Sequence, residues 1–108
     1  MLQDITARIH IPKEKVEAFC RKWGVQRLEL FGSVLRPDFS HESSDVDVMV
    51  TLSPDRTYDL FDILRMEDEL TASFGRKVEL TERSTVEKSE NYIRRRHILN
   101  AAQPVYEG

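Results

Sequence analysis

A single cysteine, Cys20, stands in a chain of 108 residues, so no internal disulfide can form and packing must hold the fold together. Set inside a helical pattern, Cys20 reads as a small buried side chain in a reducing compartment. Glycine and proline number four each, and they are scattered, so no linker, low-complexity tract or internal repeat is present. A basic excess is also missing. The 16 Lys and Arg against 19 Asp and Glu leave a net charge of -3, which argues against general nucleic-acid binding. No run approaches the roughly 18 apolar residues of a membrane helix, and residues 1–10 lack the apolar core of a signal peptide. The expectation is a cytoplasmic protein with no membrane contact.

What is present is 40% apolar residues, enough for one globular domain over 1–108 with a real core. Pro12 suits the first turn of a helix in which Val16, Phe19, Cys20 and Trp23 recur at helical spacing, and Gly24 ends it. Val25 to Phe31 alternates as a strand, with Leu28 and Leu30 on one face and Arg27 and Glu29 on the other. Asp45 to Leu52 reads as a second strand. A helix follows, with Leu60, Ile63, Leu64, Leu70 and Phe74 as its buried stripe, Phe61 and Met66 at its border, and Gly75 as its stop. Lys77 to Thr81 is a short third strand, and Ser84-x-x-Glu87 resembles a capping box. A last helix covers Tyr92 to Ala102, and Val105-Tyr106 packs back as a tail. A helix between the second and third strands predicts that these two run parallel and adjacent. The fold class expected is α/β (α+β), a small mixed sheet of three or more strands with helices mainly on one face.

Two short motifs carry chemistry. Gly32-Ser33 closes the first strand, and Asp45-Val46-Asp47 opens the second twelve residues later. Side chains two apart on a strand share a face, so Asp45 and Asp47 lie about 6.6 Å apart on the side away from Val46, Val48 and Val50. Val78 and Leu80 put Glu79 on the opposite face of the third strand, so three carboxylates are expected to converge. Like charges this close repel unless a cation stands between them. Magnesium suits the set, because it takes hard oxygen ligands and usually binds through few carboxylates plus substrate phosphates. Two ions about 3.5 to 4 Å apart would use Asp45 and Asp47 as bridges and Glu79 on the catalytic ion. Gly32 lets backbone approach a phosphate, the Ser33 hydroxyl can donate to it, and Arg36 is near enough in sequence to add charge. A plain turn and a wet sheet face with unpaired acids remain the alternatives at this point.

Leu30-Phe31-Gly32-Ser33-Val34-Leu35-Arg36 followed by Ser44-Asp45-Val46-Asp47-Val48 resembles the minimal nucleotidyltransferase family, with its polymerase-beta-like fold. The resemblance runs from Phe19 through Gly75-Arg76-Lys77-Val78-Glu79-Leu80 to Val105-Tyr106. It implies two magnesium ions, ATP as substrate, and an antitoxin that transfers AMP to a tyrosine hydroxyl of a partner HEPN-domain ribonuclease toxin. By the same resemblance Gly32 and Ser33 match the nucleotide-phosphate contact, Asp45 and Asp47 the metal pair, and Glu79 the third acid. The family's third acid is usually aspartate, and glutamate is longer by one methylene. That departure keeps a second reading open, an antitoxin that acts by binding and occlusion alone. Transfer to a small molecule ranks last, since so short a chain leaves little for an acceptor pocket. Arg94-Arg95-Arg96-His97, the densest basic run, reads as a solvated helix face whose active use would be docking of the partner.

Overall fold

The computed structural model describes residues 11–32 and 45–108. Within them lie α1 (Lys13–Trp23), β1 (Val25–Phe31), β2 (Val46–Leu52), α2 (Leu60–Phe74), β3 (Val78–Glu82), α3 (Arg83–Glu87), α4 (Tyr92–Ala101) and β4 (Gln103–Glu107). The strands form one mixed sheet in the order β3-β2-β1-β4. β1 is antiparallel to β2 and β4, whereas β2 and β3 are parallel and adjacent, as the intervening helix predicts. The segment read as a tail is the fourth strand. It pairs along β1, and Gly108 N–H extends the pairing by donating to Gln26 O at 2.8 Å. Pairing there satisfies backbone groups that β1 would otherwise expose on that edge.

Strand alternation divides the sheet into two faces. Leu28, Leu30, Val46, Val48, Val50 and Val78 pack with Val16, Phe19 and Cys20 of α1 and Met66 and Leu70 of α2 in the main core. The buried stripe of α2 differs from the expected one. Leu60 is 69% exposed and Leu64 48%, whereas Met66 is fully buried. Ile63, Met66, Leu70 and Phe74 are the side chains that meet the sheet. Their spacing of three, four and four residues is a true helical stripe; Leu64 falls off it, and Leu60, the first residue of the helix, is left exposed at its end. α2 begins with a capping box of its own, in which Asp59 Oδ1 accepts from Asp62 N–H at 2.8 Å and Asp62 Oδ2 from Asp59 N–H at 3.1 Å. The box expected at Ser84-x-x-Glu87 does not form. α3 starts at Arg83, with Glu82 at its N-cap and no side-chain cap, so Ser84 lies inside the helix and not at its cap, while the Glu87 carboxylate accepts from Arg83 Nε at 3.2 Å. α2 also protects the outer edge of β3: Thr71 Oγ1 accepts from Val78 N–H at 3.0 Å and Glu67 Oε2 from Leu80 N–H at 2.9 Å.

The opposite face carries a smaller cluster, Phe31, Met49 and Val86, with Ile98, Leu99 and Ala102 packed against it, so α3 and α4 cover part of that face. Beside it lies Glu29, only 2% exposed in spite of its charge. Arg83 Nη1 donates to Glu29 Oε1 at 2.6 Å, and Arg27 Nε lies 3.6 Å from the same oxygen. Burial alone would lower the Arg83 pKa, but hydrogen bonds and charge from Glu29 and Glu87 outweigh it and hold the guanidinium above its ordinary value. The pair therefore ties α3 down onto β1 across the sheet. Arg83→Ala leaves a buried carboxylate without its strongest partner and is expected to cost about 3 to 5 kcal/mol. An Arg83→Met, Glu29→Met double variant is expected to recover most of that loss in urea unfolding.

Cys20 is buried in the main core, which pushes its thiol up to about 12. The folded protein is thus expected to resist Ellman's reagent at pH 8 and to react only after unfolding. Because this acid's folded pKa is raised, the associated stability is present below the unfolded thiol's pKa of about 8.5 and is lost as pH rises above it.

Candidate active site

The parallel pairing of β2 and β3 places the acids. Val46 N–H donates to Lys77 O at 2.9 Å, and from there Val46 lies opposite Val78, Asp47 opposite Glu79 and Val48 opposite Leu80. Since the three valines and Leu80 face the main core, the registered pair Asp47 and Glu79 shares the other face, side by side. Asp45, half-buried, stands just ahead of β2, two residues from Asp47. Thus Asp47 and Glu79 are brought onto one face by backbone register, with Asp45 adjoining at the strand entrance. As the side chains stand, no three His, Cys, Asp or Glu among the described residues are gathered closely enough to hold a metal ion.

Gly32 backs this arrangement from β1. The strand's last residue, Phe31, lies opposite Asp47, and Gly32 then turns with φ of +75°, a conformation that glycine adopts without strain. A Cβ at Gly32 would overlap Asp47 Oδ2 and lie 3.2 Å from Asp47 Cγ. Glycine is therefore required twice, for the turn and for the space that the Asp47 carboxylate fills. Ser33 and Arg36 lie outside the described residues.

Two cavities open on this face of the sheet, at different distances from the acids. One of about 320 Å³ adjoins them, between Phe31, Thr81 and the helices α3 and α4, with Arg94 and Arg95 in its wall. A larger one of about 610 Å³ lies toward the far end of the same sheet face, where Arg27, Thr51 and Arg83 meet Arg56 and Tyr58. Thr51 is four residues beyond Asp47 in β2, about 13 Å along the strand, so the larger cavity is remote from the acids in spite of its size. Sequence patterning did not single out Phe31, Thr81 or the Glu29–Arg83 pair. Alternation marks their face as the one away from the main core, but nothing local announces that α3 and α4 return to roof it.

A mixed sheet with an Asp-x-Asp strand, a third acid in register on its parallel neighbour and a glycine turn against the second aspartate is the frame of a nucleotidyl-transfer domain. A family model described as nucleotidyltransferase domain matches residues 12–101, and the chain belongs to that family. The fold is also that of solved structures. A chain described as a minimal nucleotidyltransferase is 29% identical, with a TM-score of 0.64 over 85% of this chain and 87% of that one. A chain from a toxin–antitoxin crystal structure with AMP-PNP is 17% identical, with a TM-score of 0.65 over 91% and 75%. A chain from a complex of a tri-AMPylated Shewanella oneidensis HEPN toxin with its MNT antitoxin is 15% identical, with a TM-score of 0.58 over 90% and 71%. A search of curated proteins finds no match. The resemblance to minimal nucleotidyltransferases read from the two motifs is thereby borne out. Among the described residues no helix is long and apolar enough to cross a membrane.

Gly32→Ala is expected to displace the Asp47 carboxylate. A shift of about 1 Å there would lower nucleotidyl transfer about a hundredfold. Initial rates compared with wild type, beside a thermal melt to exclude unfolding, check this.

Proposed function

We propose that this chain is an antitoxin-type nucleotidyltransferase that transfers AMP from ATP to a tyrosine hydroxyl of a partner HEPN ribonuclease toxin, neutralising it. The observation that carries the reading is the register of Asp47 with Glu79, backed by Gly32, inside a nucleotidyltransferase domain. The chains of like fold support it: one comes from a toxin–antitoxin structure with AMP-PNP, and another from a complex of a tri-AMPylated HEPN toxin with an MNT antitoxin. Leu60, Phe61 and Leu64 on α2 and Tyr92 and Ile93 on α4 are exposed, a feature that suits a chain with a protein partner.

The donor set fits magnesium. All three acids offer hard oxygens, and Asp47 has room beside Gly32, while thiolate or imidazole ligands that would suit a softer metal are absent from the set. Asp45 and Asp47 would hold two ions and Glu79 the one nearer the acceptor, with ATP phosphates completing the ligands. Bound there, magnesium would neutralise phosphate charge and favour the ionised hydroxyl. The chain's own part is positional. Gly32 lets the backbone approach the triphosphate, with Ser33 and Arg36 as its proposed polar contacts, and the sheet keeps the acids aligned. The tyrosyl oxygen forms a bond to the α-phosphorus as the bond to the bridging oxygen breaks. Pyrophosphate leaves, and the hydroxyl proton passes to water.

Asp45→Ala or Asp47→Ala is expected to lower transfer of α-phosphate label to the toxin about a thousandfold, with γ-label never transferred. Glu79→Ala is expected to behave alike, while Glu79→Asp keeps activity. Retained transfer in the aspartate variants would sink the mechanism. Glu79, one methylene longer than the aspartate usual in the family, keeps one rival open, an antitoxin that acts by occlusion alone. That rival requires Asp45→Ala to protect cells from the toxin as well as wild type does.

A further inference from the structure

We infer that Lys77 is a further substrate-binding residue of this site, and that its ammonium takes a phosphate oxygen of the bound nucleoside triphosphate. The inference rests on the reading that Asp45, Asp47 and Glu79 carry nucleotidyl transfer, and deepens it by naming a contact to the nucleotide from β3 rather than from the glycine turn.

Backbone register fixes where Lys77 stands. Its carbonyl accepts from Val46 N–H at 2.9 Å, which carries the parallel pairing one step ahead of the partners Val46 and Val78. Lys77 is thereby set beside Asp45, as Glu79 is set beside Asp47. Val78 faces the main core, so Lys77 and Glu79, on either side of it in the chain, both stand on the face that carries the acids. Neighbouring strands lie about 4.8 Å apart and residues two apart on one strand about 6.6 Å, which makes Lys77 a close neighbour of Asp45 and Glu79 alike. Its four-carbon stem can cross either interval.

Charge says what the ammonium meets. Lys77 is exposed, and among the described residues its side chain makes no hydrogen bond or ion pair, although acids stand on both sides of it. Lys22, by contrast, is committed to Glu69 at 2.9 Å. Three carboxylates, two divalent cations and a fully ionised triphosphate together leave an excess of about three negative charges, so the loaded site favours one more cation on this face. Once the carboxylates turn to the metal, phosphate oxygens are the anions left for that cation, and an ammonium is a compact point charge suited to them. The acceptor hydroxyl is neutral and exerts no such attraction. Charge, rather than position alone, therefore assigns Lys77 to the nucleotide.

The test measures binding without the toxin, by calorimetric titration of the intact protein with magnesium and AMP-PNP. Lys77→Ala is expected to weaken binding about tenfold or more, and Lys77→Arg to keep a larger share of the affinity. Raising the salt concentration should weaken wild type more than Lys77→Ala, because an exposed charge contact is screened. Lys15→Ala, which removes an exposed lysine from α1 on the other side of the sheet, should leave the affinity unchanged. Thermal melts of all three variants should match wild type. Equal binding by wild type and Lys77→Ala would overturn the inference. So would an equal loss in Lys15→Ala, an arginine variant no better than the alanine one, or a wild type that binds no AMP-PNP. The transfer reading fails separately, as a wild type that binds the nucleotide yet puts no label on the toxin, whereas label transfer with equal affinities in wild type and Lys77→Ala sinks the inference alone.

Discussion

The parallel register between β2 and β3 is the constraint on which the rest of the site depends. It is held by a row of apolar side chains, Val46, Val48 and Val50 beside Val78 and Leu80, which must all face the main core. A slip of one residue would turn Val78 and Leu80 outward and Glu79 inward, so burial of those two side chains selects the register that sets Glu79 beside Asp47. The same burial that stabilises the domain therefore positions two acids that would otherwise repel each other. α2 completes this by spanning the two strands and by capping the outward N–H groups of β3 with Thr71 and Glu67, leaving the edge unavailable for other pairing.

Order on the second face comes from charge as much as from apolar packing. Glu29 lies under α3, and its bond to Arg83 brings the segment after β3 back across the sheet to β1. A buried ion pair of this kind contributes little net stability compared with apolar packing, yet it penalises alternatives that leave either partner alone. Here it holds down α3, whose Thr85 and Val86 form part of the pocket wall beside the acids. The positions of Arg94 and Arg95 then follow from the turn into α4. Packing, charge and site geometry are thus coupled through a helix of five residues.

Membership of the nucleotidyltransferase domain family and the fold define the class of chemistry, while the acceptor is a matter of local surface. Glu79 stands where the family resemblance leads one to look for aspartate, and its longer side chain can reach further from its strand. The exposed apolar residues of α2 and α4 lie on opposite sides of the sheet from each other, so a partner meeting Tyr92 and Ile93 approaches the pocket side of the sheet, whereas one meeting Phe61 does not.

Much of this was legible in the residues. Alternation in Val25 to Phe31 and Val46 to Leu52 marks two strands and their inner faces, Gly24 and Gly75 mark helix ends, and the Gly-Ser and Asp-x-Asp motifs mark the family, because each signal is local and spans only a few neighbouring residues. The stripe of α2 was misjudged at Leu60 and Leu64, since several leucines around one helix offer more than one apolar face and only the sheet beneath selects between them. Long-range facts were beyond local reading: the return of Gln103–Glu107 as a strand on β1, the burial of Glu29 under Arg83, and the pocket that joins Phe31 to Thr81 and Arg94. The sequence by itself determined which residues prefer to be buried and which carry charge. Only the tertiary structure decided which charges meet, because that depends on contacts between segments far apart in the chain, whose pairing no short-range periodicity encodes.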